Sequence, residues 1–179
     1  MKYIILLRGI NVSGKNKLKM ADLRAMLAGM NFANIQTYIQ SGNIILEAKE
    51  IPNSKLAERI KNQIKTTFDY DVPTLALRVG EWREIFEHNP FLQKRNEEIT
   101  KLHLTILAEL PENELVDTIK DFQHKADEFQ ISGKNIYLFC PDGYGRTKLT
   151  NNFFERKLKV SATTRNWKTV TKLMELAGE

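Results

Sequence analysis

Short apolar runs and helical stripes succeed one another along this chain in one order, used twice. Residues 3–8 open as a continuous apolar run, Tyr3 to Leu7, that ends at Arg8 and a Gly/Asn/Lys loop, the pattern of a buried strand. Met20, Leu23, Leu27 and Met30 recur at helical spacing, and Gly29 supplies a stop. A strand follows at about 34–39, then Ser41-Gly42-Asn43 as a tight turn, then a strand at 44–48. Pro52, Asn53 and Ser54 begin a second helix with Leu56, Ile60, Ile64 and Phe68 on one face. Leu75, Leu77 and Val79 alternate as a fourth strand, which gives the order β-α-β-β-α-β.

The second half repeats that order. Leu102, Leu104 and Ile106 alternate as a strand, and Pro111 begins a helix carrying Leu115, Ile119 and Phe122 on one face. Phe129 and Ile131 lead into the turn Ser132-Gly133-Lys134-Asn135 and a strand at 136–140. A helix with Leu149, Phe153 and Leu158 follows, then an extended piece at 160–164 and a final helix at 166–177 with Trp167, Val170, Met174 and Ala177 inward. The hairpins around Ser41-Gly42-Asn43 and Ser132-Gly133-Lys134-Asn135 hold the same place in each half. The fold class expected is α+β: two tandem ferredoxin-like units, 1–80 and 101–179, joined by 81–100 around His88-Asn89-Pro90, with an extra C-terminal helix. Runs such as Ile4-Ile5-Leu6-Leu7 and Ile136-Tyr137-Leu138-Phe139 are apolar on both strand faces. The sheet face without helices is therefore expected to be covered by the sister sheet or by a partner subunit, in a monomer or homodimer.

Composition narrows the classes. A 42% apolar and 27% charged chain of 179 residues is an ordinary globular protein. One cysteine, Cys140, permits no intrachain disulfide, and no Cys/His set has zinc spacing, so neither a metal nor a cofactor is expected. The opening apolar run is too short for a signal peptide or a membrane span, which points to the cytoplasm. Charge adds more. Residues 1–46 carry six Lys/Arg against one acid, Asp22, and residues 141–172 carry eight against Asp142 and Glu155, while 47–140 nets −4.

The two basic segments also hold the polar residues best suited to recognition, and together they suggest one cationic, amide-lined site for a phosphate-bearing or other anionic ligand. The candidate ligand-binding residues are Arg8, Asn11, Lys15, Asn43, Lys148, Asn152, Arg165 and Asn166. Arg8 and Arg165 each end an extended stretch, where a guanidinium commonly takes a carboxylate, a phosphate or a carbonyl. Lys15, Lys17 and Lys19 precede a helix N-terminus, where a cation is disfavoured unless an anion accompanies it. Each residue also has a plainer reading: the lysines as solvating charges, the arginines as internal ion pairs, Asn152 and Asn166 as helix caps, Asn11 and Asn43 as turn formers. Gly9-x-x-x-x-Gly14-Lys15-Asn16 misses a P-loop by its last residue, and hairpin order contradicts a parallel P-loop sheet. His88, His103 and His124 are scattered outside the basic segments, Cys140 reads as a buried structural thiol, and no acid–base pair supports catalysis. The alternatives are an RNA or single-stranded nucleic-acid module, with Tyr137 and Phe139 as stacking aromatics, and an interaction protein whose motif residues are caps and salt bridges.

Several long motifs agree in order with one family. Leu6-Leu7-Arg8-Gly9-Ile10-Asn11-Val12, Lys19-Met20, Thr37-Tyr38-Ile39-Gln40-Ser41-Gly42-Asn43 and Ala162-Thr163-Thr164-Arg165-Asn166-Trp167-Lys168-Thr169-Val170 resemble the bacterial family of domain of unknown function 1697. The resemblance implies a duplicated α-β plait and no established activity. Ser13 departs from it, since a glycine is commoner there.

Overall fold

Alternating side chains of the first apolar run set the layering of the first sheet. In the computed structural model, which describes residues 1–12 and 14–178, β1 (Lys2–Leu7), β2 (Ala33–Tyr38), β3 (Asn43–Glu47) and β4 (Thr74–Arg78) form an antiparallel sheet of order β2-β3-β1-β4. Tyr3, Ile5 and Leu7 point to one face, where they pack with Leu23 and Leu27 of α1 (Met20–Gly29) and Leu56, Ile60 and Ile64 of α2 (Asn53–Phe68). Those residues lie three or four apart on each helix, so each helix lays one stripe on the sheet. Ile4 and Leu6 point to the opposite face and are equally buried. Tyr3 Oη donates to Ile51 O at 2.9 Å and accepts from Ile51 N at 3.0 Å, which pins the approach to α2. Ser13 lies outside the described residues.

The connecting segment carries structure of its own: α3 (Val79–Glu87) and α4 (Pro90–Arg95). Asn89 caps α4 by accepting from Phe91 N at 3.0 Å, with Pro90 in the first turn where its missing N–H costs nothing. A second antiparallel sheet follows, built from β5 (Leu102–Leu107), β6 (Glu128–Ser132), β7 (Asn135–Phe139) and β8 (Ala162–Asn166) in the order β6-β7-β5-β8. The two sheets share more than strand order. Leu7 N donates to Gly42 O and Leu107 N to Lys134 O at 2.7 and 2.8 Å, and Arg8 N to Pro73 O and Ala108 N to Ser161 O at 2.9 and 2.8 Å.

One helix is shorter than its pattern. The helix expected from Pro111 through Phe122 is only α5 (Asn113–Asp117). Thr118 takes the Leu115 carbonyl with both its N–H and its Oγ1, at 3.2 and 2.7 Å. That acceptor is the one Ile119 N would need in an α-helix, so Ile119 and Phe122 bond three residues back instead and the chain leaves as turns. α6 (Asn151–Leu158) and α7 (Trp167–Gly178) complete the chain. Along α7 the buried apolar positions are Trp167, Val170, Leu173 and Ala177, with Leu173 in the place expected for Met174.

By its contacts the chain forms two units, Met1–Glu84 with the residues from Leu173 onward, and Ile85–Lys172. Both are α+β, each with one four-stranded antiparallel sheet. Among the described residues no helix is long and apolar enough to cross a membrane.

Candidate functional site

Arg8, Asn11, Lys15 and Asn43 belong to the first unit, and Lys148, Asn152, Arg165 and Asn166 to the second. In the first unit the loop after β1 is held by its own groups. Gly9, Asn11, Gly14 and Asn16 all have positive φ, a conformation Gly and Asn tolerate best. Asn11 N donates to Asn16 O at 3.1 Å, Lys15 N to Val12 O at 2.9 Å, and Asn16 Nδ2 to Gly9 O at 3.1 Å. The Asn11 side chain accepts from Leu18 N at 2.8 Å and donates to Leu18 O and Gln40 O at 2.8 and 2.9 Å, so it ties this loop to the β2–β3 hairpin. Asn43 is fully buried, and its Nδ2 donates to Tyr38 O and Ser41 Oγ at 3.1 and 3.0 Å. Arg8 is half-buried at the end of β1, and Lys15 is exposed. The loop's inward-turned amides are unlike a phosphate-cradling P-loop, whose N–H groups face the ligand.

The second unit gathers charge differently. Thr150 caps α6 by accepting from Phe153 N at 3.3 Å, and Thr147 Oγ1 accepts from Leu149 N at 3.0 Å, which fixes the chain just before the helix. Thr147, Lys148, Thr150, Asn152, Phe153, Arg156 and Lys157, with Phe122 from the turns after α5, line a pocket of about 590 Å³. On α6 the pairs Asn152/Arg156 and Phe153/Lys157 are each one turn apart, so a polar row and a row of one ring and one cation run side by side along the helix. The Phe122 and Phe153 rings meet at 4.4 Å, and Phe154 supports Phe153 edge-on at 5.2 Å.

The lining contains three cations and no acid. Among the described residues none of Lys148, Arg156 and Lys157 has a carboxylate within ion-pair distance. The acid of α6, Glu155, bonds the start of β8 instead, its Oε1 accepting from Ala162 N at 2.9 Å. Arg156 and Lys157 stand in the last turn of α6, where the helix dipole favours positive charge, so the helix itself supports their placement.

Arg165 and Asn166 stand outside this lining. Arg165 is buried, donates to Thr164 O at 2.9 Å, and burial pushes its guanidinium down to about 10. Asn166 Oδ1 accepts from Thr169 N at 2.8 Å, the cap bond of α7. Tyr137 is buried, with its hydroxyl donating to Ile85 O at 3.1 Å, and Phe139 lies against Phe91 and the Arg95 guanidinium. Those two rings are committed to packing rather than offered to a base. Burial raises the Cys140 thiol to about 11, with Asp127 adding to the rise and Thr147 opposing it, as for an inert structural thiol. Among the described residues no cluster of His, Cys, Asp or Glu could hold a metal ion.

His103 carries a pH dependence. It is 7% exposed, stacks on Tyr144 at 4.7 Å, and its Nδ1 finds no hydrogen-bond partner among the described residues. Burial lowers its pKa below the ordinary value, with a Lys101 carbonyl pulling the other way. The unfolded chain therefore binds a proton at a higher pH than the folded one does. Stability is complete above about pH 6.5, the ordinary histidine value, and falls as pH drops below it. Urea midpoints at pH 7.5 and pH 5 should show that loss in wild type and a smaller loss in His103→Phe, which keeps the stack. Equal losses in both proteins would assign the acid sensitivity to other groups.

No curated protein matches the chain. A solved structure of the conserved bacterial protein SP0830 from Streptococcus pneumoniae is similar over 98% of each chain, at 24% identity and with a TM-score of 0.76, so the two share a fold. The family model described as "Protein of unknown function (DUF1697)" matches residues 1–137, a span that stops before the motif at 162–170. With most of its length inside that match, the chain belongs to the DUF1697 family of proteins of unknown function.

Proposed function

We propose that this protein binds a phosphate-bearing small ligand in the pocket between α6 and the turns after α5. One observation carries the reading: three cations, Lys148, Arg156 and Lys157, line a single cavity from which acids are absent. Grouping like charges without a counter-charge costs Coulomb energy that a bound anion returns, and a concave apolar wall strengthens the field inside. The Thr147, Thr150 and Asn152 side chains add neutral polar groups at the same mouth. Of the residues expected from the sequence, this reading gives ligand contact to Lys148 and Asn152 and structural roles to Asn11, Asn43 and Asn166. It takes each unit as a ferredoxin-like plait, supported by the repeated strand order, and takes the protein as cytoplasmic, supported by a single buried thiol.

Pyrophosphate at about 100 times its dissociation constant should stabilise the protein by about 2.7 kcal/mol. For a chain of this size that is a rise in melting midpoint on the order of 5–10 °C. Lys148→Ala/Arg156→Ala should lose that rise while its own midpoint stays within about 2 °C of wild type, since both side chains are exposed. A rise that survives in the double variant would place the anion elsewhere. Affinity should fall only shallowly with salt, because few charges are neutralised, whereas a nucleic-acid polymer gives a steep slope.

A further inference from the structure

The pocket has a second half that a bare anion would leave unused. Phe122 and Phe153 form an apolar wall beside the charged rim. Phe153 is 5% exposed and is supported edge-on by Phe154, so its ring is fixed. Phe122 is half-buried on a turn and leaves part of its ring open to the cavity. A volume of about 590 Å³ lies in the usual range for small-molecule pockets, roughly 300–1,000 Å³, and is more than one phosphate group fills. Inorganic phosphate would leave the ring wall wet, and a simple sugar phosphate would set hydroxyls against it without partners.

From these features we infer that the ligand is a nucleoside diphosphate, its phosphates on Lys148, Arg156 and Lys157 and its base against Phe122. The inference rests on the anion-site reading above and deepens it. The lining fits such a molecule, since its three cations match the charged end while the rings of Phe122 and Phe153 match the flat end. Three cations suit the charge of a diphosphate better than that of a monoester. Stacking of a base on an aromatic ring tolerates any base, so ADP and UDP should bind alike, and stacking should favour both over pyrophosphate by on the order of tenfold.

Titration calorimetry of the full chain with ADP, UDP, pyrophosphate and ribose 5-phosphate tests this. ADP and UDP should bind about tenfold more tightly than the other two, and Phe122→Leu, which keeps apolar packing against Phe153, should erase that advantage without changing the pyrophosphate affinity. Saturation-transfer NMR on wild type should show magnetisation passing from the Phe ring protons to base protons of ADP, which needs no variant. Equal affinities for ADP and pyrophosphate, or transfer to ribose protons alone, would overturn the nucleotide inference and leave the anion site standing. Binding of none of the four would overturn the anion site itself.

Discussion

Trp167→Ala is expected to lower the stability of the second unit by about 3–5 kcal/mol, as large-to-small changes at buried aromatic positions do. The indole is 1% exposed, lies almost parallel to the Phe86 ring at 6.0 Å, and meets the Tyr137 ring at 6.3 Å. Its removal opens a cavity between α7, α3 and β7, where each neighbour is tied to its own element and cannot collapse into the space. Tyr137 is held further by its hydroxyl bond to Ile85 O, so truncation also loosens a buried phenol whose pKa burial has raised to about 12. Denaturant unfolding followed by circular dichroism gives the size of the loss, and amide exchange along β5 and β7 places it in the second unit. Trp167→Phe, which keeps a ring, should cost less than half as much. A denaturation midpoint within about 1 kcal/mol of wild type for the alanine variant would mean that the ring cluster contributes little.

Where the sequence spoke clearly, one physical signal was dominant. The continuous apolar run Tyr3–Leu7, the alternation of Leu102, Leu104 and Ile106, and the helical spacing of Leu56, Ile60 and Ile64 marked strands and helices because burial imposes a different pattern on each element. The Pro111–Phe122 stripe misled for a local reason: a threonine hydroxyl competed for one carbonyl, which periodicity cannot register. The candidate site was legible only in part. Lys148 and Asn152 stood out because they lie in a basic, amide-rich stretch just before or within α6. Arg156 and Lys157 passed as ordinary helix-end charges, and Phe122 and Phe153 as core positions, since those are the same residues at the same spacing whether or not a cavity opens beside them. The missing signal is the one-turn offset between Asn152/Arg156 and Phe153/Lys157, which becomes informative once Phe122 is known to sit alongside. Asparagine was the least informative letter. Asn11 braces a loop, Asn43 closes a hairpin and Asn166 caps a helix, and each bond depends on a backbone group that the sequence does not locate.

Gly42→Ala is expected to destabilise the first unit by about 2–4 kcal/mol. Gly42 has φ of +80°, where a Cβ costs on the order of 1 kcal/mol. A Cβ there would also lie 2.6 Å from the Leu7 Cβ and 2.9 Å from the Ile10 Cδ1. Ile10 could turn its terminal methyl aside, but the Leu7 Cβ is fixed to the backbone of the central strand. Relief therefore requires the hairpin to lift, and lifting stretches the 2.7 Å bond from Leu7 N to Gly42 O and strains the Asn11 side-chain bond to Gln40 O. Overpacking of this kind typically adds 1–3 kcal/mol. Gly133, at the matching hairpin of the second unit, also has positive φ (+58°) but has nothing within 4 Å of its would-be Cβ. Gly133→Ala should thus show the backbone cost alone, on the order of 1 kcal/mol, and the difference between the two variants isolates the steric clash. Urea unfolding followed by amide exchange at β1 and β3 reads the first variant, and exchange at β5 and β7 the second. Equal losses at the two glycines would show that the hairpin of the first unit yields to a methyl group, and that its close approach to Leu7 does not constrain this position.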